Sequence, residues 1–172
     1  MTTVDDLLTA LQSTDFRVRR NAAAELNRLV DIRSLSALIQ TLESDPDEWV
    51  LIDAAEALGR IGDQRAVPAL LGALKSEAQT AGWRQARADL GLIRDAQAQR
   101  ERRVFLWQQV TAEISDIRCA AAISLGQLGN PDSVPGLIEA LHDQDDPNVR
   151  GAAARALEMI GTPEALDAIG KK

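Results

Sequence analysis

Tyrosine is absent from this 172-residue chain, and cysteine and histidine occur once each. A lone cysteine, Cys119, closes no internal disulfide, which points to a reducing, cytoplasmic setting. A lone histidine, His142, excludes a metal centre built on several histidines. Lysine is confined to Lys75, Lys171 and Lys172, none of them in a phosphate-binding loop, so nucleotide chemistry has no support. No apolar run approaches the roughly 20 residues that cross a bilayer. Met1 to Thr9 lacks the basic and apolar regions of a secretory signal. Positive charge is also scarce, with 19 Lys and Arg against 26 Asp and Glu and a net charge of -7. That balance argues against a general grip on nucleic acid or an anionic membrane and favours neutral or basic protein surfaces as partners.

What the chain has in quantity is a repeated phrase of about 32 residues, written five times. One column reads Leu26, Leu58, Leu90, Leu125 and Leu157; three places on stand Leu29, Ile61, Ile93, Leu128 and Ile160. In the second copy Val50, Ala54, Leu58 and Ile61 fall at helical spacing behind an acidic start, Asp47 and Glu48, and Gly62 ends the helix. Asp63 then caps a second helix with Pro68 in its first turn and Val67, Leu70, Leu71 and Leu74 as its apolar stripe. Each unit is therefore a helical hairpin. The turn positions Asp31, Asp63, Asp95, Asn130 and Thr162 all carry capping side chains. Glycines 59, 62, 126, 129 and 161 recur at helix ends, as capping and close-packing residues do. Two alanine columns, Ala22, Ala54, Ala86, Ala121 and Ala153 beside Ala23, Ala55, Ala122 and Ala154, let neighbouring units approach closely. Arg87 breaks the second column, either because the third unit packs differently or because the arginine pairs with an acid across the seam.

Segments such as Asp146 to Leu157, Leu58 to Asp63 and Ala66 to Leu71 resemble HEAT repeats, and within them the short HEAT-like repeats named after phycobilin lyases. The resemblance covers nearly the whole chain. It implies an all-α, right-handed α-solenoid of about five HEAT-like hairpins with an N-terminal half repeat. The units run approximately over 1–14, 15–45, 46–77, 78–112, 113–144 and 145–172, as one domain. It also implies that second helices line the concave side, where partners commonly dock. The arginine typical of the family's first helix matches Arg19, Arg118 and Arg150, whereas Leu51 and Trp83 stand in that column in the middle of the chain.

The third copy departs from the rest. After Leu90 to Asp95 the pattern is lost, Gln99 and Arg100 replacing Val67 and Pro68, and Leu90 to Leu125 is three residues longer than the period. Three of the five aromatic residues, Trp83, Phe105 and Trp107, gather there with Arg84, Arg87, Arg94, Arg100, Arg102 and Arg103. Tryptophan and arginine often dominate binding energy. Phe105 also fits a core slot, and the arginines also fit a long solvated helix. Trp49, beside core Val50, reads as partial core; Cys119 reads as a small half-buried residue, although Arg118 and the helix start could activate its thiol.

Two functions are expected from these features. The first is a cytoplasmic protein-binding scaffold that uses its concave face and third repeat. Its partner-binding residues would be Trp83, Arg84, Arg87, Arg100, Arg103, Trp107 and Gln108, with no catalytic residue, metal or cofactor. The second, implied by the resemblance, is a phycobilin lyase or bilin-handling subunit. It would act with a phycobiliprotein or a second HEAT-like chain, arginines holding the propionates of a bilin while tryptophans stack on its rings. A continuous basic track for nucleic acid is not expected on the concave positions Asp6, Glu139, Asp143, Gln40, Thr41 and Gly72.

Overall fold

A computed structural model describes residues 3–75, 117–144 and 146–170, and every regular element among them is helical. In chain order these are α1 (Val4–Ala10), α2 (Phe16–Leu29), α3 (Leu35–Ser44), α4 (Glu48–Ile61) and α5 (Val67–Leu74). They continue as α6 (117–128), α7 (Val134–Leu141), α8 (Pro147–Ile160) and α9 (Pro163–Ala168). The chain is an α-solenoid. α1 is the half unit, and α2 with α3, α4 with α5, α6 with α7 and α8 with α9 are hairpins one, two, four and five of the sequence register. The third copy lies outside the described residues.

Local chemistry accounts for each hairpin. Asp47 accepts from the backbone N–H groups of Trp49 and Val50, and Asp15 and Asp146 cap α2 and α8 in the same way. First helices end on a left-handed residue that turns the chain back: Gly62, Gly129 and Gly161 have φ of 76, 62 and 67°. The first unit has Val30 there instead, at φ 52°. The turn residues Asp31, Asp63 and Asn130 cap not an α-helix but a single 3-10 turn that leads into the second helix. That turn is stapled by a serine in two units, Ser34 Oγ donating to Asp31 O and Ser133 Oγ to Asn130 O, each at 2.6 Å.

Burial follows the columns. Leu26, Leu58, Leu125 and Leu157 are fully buried, as are Ala23, Ala54, Ala55, Ala121, Ala122 and Ala153. Small residues let backbones meet. A β-carbon added to Gly126 would lie 2.7 Å from Ala156 Cα, so α6 and α8 touch at glycine.

Hairpins two and four are in direct contact. Ser124 Oγ donates to Ala55 O at 2.9 Å, Gln64 Nε2 to Leu128 O at 2.9 Å, and a β-carbon on Gly59 would collide with Ser124. On the second-helix side Lys75 Nζ meets Glu139 Oε2 at 2.7 Å, and Gly136 lies against Leu71. The seam between α4 and α6 thus has the same small-residue chemistry as the seam between α6 and α8.

Candidate partner-binding surface

All seven residues expected to bind a partner, Trp83, Arg84, Arg87, Arg100, Arg103, Trp107 and Gln108, lie outside the described residues, as do Phe105 and the rest of the third copy. The described residues show the frame on either side. Leu74 and Arg118 are adjacent in space although 44 apart in sequence, the guanidinium Nε donating to Leu74 O at 3.1 Å. Its Nη2 bonds Asp143 as well, so one arginine joins the end of α5, the start of α6 and the loop after α7. The other described hairpins are joined by short loops, 45–47 and 142–146.

Arginine plays the same part elsewhere. Arg19 donates from Nε and Nη2 to both oxygens of Asp45, at 2.7 and 3.0 Å, and from Nη1 to Ser13 O at 3.0 Å. Arg150 Nη1 donates to Asp143 O at 2.9 Å. Arg19 and Arg150 thus grip the loop before their own units, Arg118 grips the end of α5, and Arg19 and Arg118 also grip the loop after their units. Leu51, in the same column, can make no such bond. Asp143, expected on the concave surface, is instead spent on this ladder.

The exposed positions of the second helices include Gln40, Glu43 and Ser44 on α3, Gly72 at α5, and Glu139 and His142 at the end of α7. Thr41, expected among them, is buried. His142 caps α7, its Nδ1 2.8 Å from Ile138 O. An open cleft of about 230 Å³ lies between the end of α1, α3 and the loop that follows it, walled by Gln12, Gln40, Thr41, Ser44 and the Arg19–Asp45 pair. Its lining is polar and its one charged pair is internally satisfied. Among the described residues no group of three or more His, Cys, Asp or Glu could hold a metal ion, and no helix is long and apolar enough to cross a membrane.

Two features were missed from sequence. Trp49 is not core: it is 43 % exposed, and the Arg20 guanidinium stacks over its ring at 4.7 Å from the centroid. Its place in the first turn, next to a capping aspartate and off the Val50, Ala54, Leu58 stripe, is the signal that could have shown it. Asp53, one turn further on, has its carboxyl pushed up from the usual value by burial and then by Glu56, with Arg20 opposing. In the connecting turn, Arg65 donates to both oxygens of Asp63, and its backbone N–H adds a third bond, which holds Asp63 down at about 2.

Against known proteins, a family profile of HEAT repeats matches residues 3–91 and 104–171, leaving the irregular centre of the third copy between them. Over 50 residues the chain is 48 % identical to the bilin biosynthesis protein PecE of Mastigocladus laminosus, a stretch covering 29 % of this chain and 19 % of that protein. Its fold is similar to a chain in the complex of CpcE and CpcF of phycocyanin lyase from Nostoc sp. PCC7120. There the TM-score is 0.67 at 24 % identity, covering 99 % of this chain and 57 % of the other. An engineered protein gives a TM-score of 0.53 at 23 % identity, covering 99 % and 68 %. The chain thus spans a fifth of the length of its curated relative and just over half that of the lyase chain. With the capped hairpins, the small-residue seams and the profile in agreement, this protein belongs to the HEAT-repeat family.

Proposed function

We propose that the chain is a bilin-handling subunit of the phycobilin-lyase type that works with a second HEAT-repeat chain. The observation that carries this reading is the 48 % identity to PecE, a bilin biosynthesis protein, over 50 residues. The fold shared with the lyase chain is compatible with it. In this reading the third copy supplies the chemistry a linear tetrapyrrole requires. Arg84, Arg87, Arg100 and Arg103 offer bidentate donors to two propionates, Trp83 and Trp107 offer flat apolar faces, and Gln108 offers an amide. The stacked units hold residues 75 and 117 in place through Lys75, Glu139, Arg118 and Asp143. No catalytic residue is assigned, and the partner subunit would contribute to the transfer.

A second reading, a scaffold that binds a phycobiliprotein without touching bilin, is favoured by the polar second-helix surface and its satisfied cleft. One experiment separates the two. The purified chain is mixed with free bilin, with apo-phycobiliprotein and with both, alone and beside a candidate partner subunit. The lyase-type reading expects a shifted bilin absorption band and covalent pigment on the acceptor, both reduced at least about tenfold by Arg103→Ala or Trp107→Ala. Binding to phycobiliprotein with no effect on bilin in any combination would leave the scaffold reading in its place.

A further inference from the structure

Asp53 stands where α6 and α8 have an alanine. Ala120 and Ala152 hold its column in those helices, each only 7 % exposed, whereas α4 puts a half-buried carboxyl there. Asp53 lies in the second turn of α4, past the first turn where the helix dipole favours an acid, and Asp47 already caps that helix. Among the described residues no hydrogen bond or ion pair holds its carboxyl. Capping, dipole and pairing therefore all fail to account for an acid at this position, and a carboxyl perturbed without a structural role marks a candidate site.

Its neighbours lie along the edge of α4 that meets α2. Glu56 and Arg60 mark that edge, since Asn27 of α2 donates to Glu56 Oε2 at 3.0 Å and Arg60 Nη1 donates to Asn27 O at 2.7 Å. Asp53 comes three residues before Glu56 and four after Trp49, so the three share one face. Trp49 is exposed, and the guanidinium of Arg20, reaching over from α2, lies 4.7 Å from its ring centroid. Arg20 is near enough to oppose the upward push of burial and Glu56 on the Asp53 carboxyl, yet it makes no ion pair with it. This seam thus holds a guanidinium on an indole with two carboxylates beside it, one of them lacking a donor. The matching positions are Ala120 and Ile123 on α6 and Ala152 and Arg155 on α8, so neither of those helices repeats the arrangement.

We propose that Trp49, Asp53 and Glu56 form a receptor for an arginine side chain of a protein partner, with Arg20 as the stand-in that covers the indole in the partner's absence. The incoming guanidinium replaces Arg20 on the ring and adds the bidentate contact to Asp53 that Arg20 lacks, with the Glu56 charge alongside. Arginine is favoured over lysine because a flat guanidinium stacks on an aromatic ring and reaches a carboxylate at the same time. A protein is favoured over nucleic acid because the chain carries a net charge of -7 and this seam offers two carboxylates. Arg20, exposed on α2, returns to water when displaced. The receptor lies on first helices and does not rest on whether the chain handles bilin.

Nuclear magnetic resonance of the full chain, isotope-labelled at its tryptophan indoles and titrated with N-acetyl-arginine amide, tests it. The Trp49 signal is assigned by its loss in Trp49→Phe. That signal should shift saturably with the arginine probe, at least about threefold more weakly with N-acetyl-lysine amide, and not with the neutral isostere N-acetyl-citrulline amide. Arg20→Ala, which uncovers the ring, should tighten binding of the arginine probe about threefold or more. Asp53→Asn, expected to fold at least as well as the unsubstituted chain, should weaken it at least about tenfold. The proposal is overturned if the Trp49 signal does not respond, if lysine or citrulline matches arginine, or if Asp53→Asn, shown to be folded by circular dichroism, binds as the unsubstituted chain does. It is equally overturned if Arg20→Ala weakens binding, because Arg20 would then belong to the receptor and not stand in for its ligand.

Discussion

Val30 occupies the left-handed position that Gly62, Gly129 and Gly161 fill in the other hairpins, and a β-branched residue at φ 52° carries steric strain. Val30→Gly should therefore raise stability by about 1 kcal/mol in urea unfolding, with little change in slope. Two other glycines make a contrasting pair. Gly126→Ala has to push α8 away and should cost about 1–3 kcal/mol, whereas a β-carbon at Gly151 meets nothing within 4 Å. Gly151→Ala, inside α8, should gain about 0.5–1 kcal/mol from helix propensity. The residue scale is also where the sequence was most legible. Capping aspartates, C-cap glycines and alanine columns were all readable because each is dictated by backbone geometry within a few residues. Trp49 was not, because whether a side chain beside a core position is covered depends on the neighbouring unit.

At the scale of the helical element, Arg118 links α5, α6 and the loop after α7. It satisfies Leu74 O and Asp143 together, both partners of the ion pair being nearly buried. Arg118→Ala should cost about 3 kcal/mol, read as a lower urea midpoint, because the Asp143 carboxylate, which keeps the Asp146 N–H, loses its buried cation and Leu74 O loses its guanidinium donor. Hairpins two and four have a complete seam of their own. Replacing residues 76–116 by a three-residue link like Asp45 to Asp47 should therefore leave a cooperatively melting helical protein; loss of the helical signal would show that the seam needs the excised copy. This seam could not be read from sequence. The period runs through the third copy, whose first half, Leu90 to Asp95, keeps the register, and register alone does not say which units touch.

For the molecule as a whole, pH acts through groups of opposite sign. Asp63, held at about 2 against an ordinary 3.8, supports the fold fully above its ordinary value, and this support is lost as pH falls through about 2. Asp53 runs the other way: its carboxyl is raised, so its charge opposes folding at neutral pH, and the opposition ends as pH falls through its raised value. Asp53→Asn should raise the melting temperature at pH 7 by about 1–3 °C and bring no gain near pH 3. The sequence by itself determined the hairpins, their caps and the columns that stack, because helix periodicity and capping are local and were repeated often enough to be unmistakable. Only the tertiary structure decided that hairpin two lies on hairpin four and that Asp143 belongs to an arginine ladder. Those facts depend on which surfaces meet, and in a solenoid built from near-identical units that is settled by the packing of small side chains at each seam.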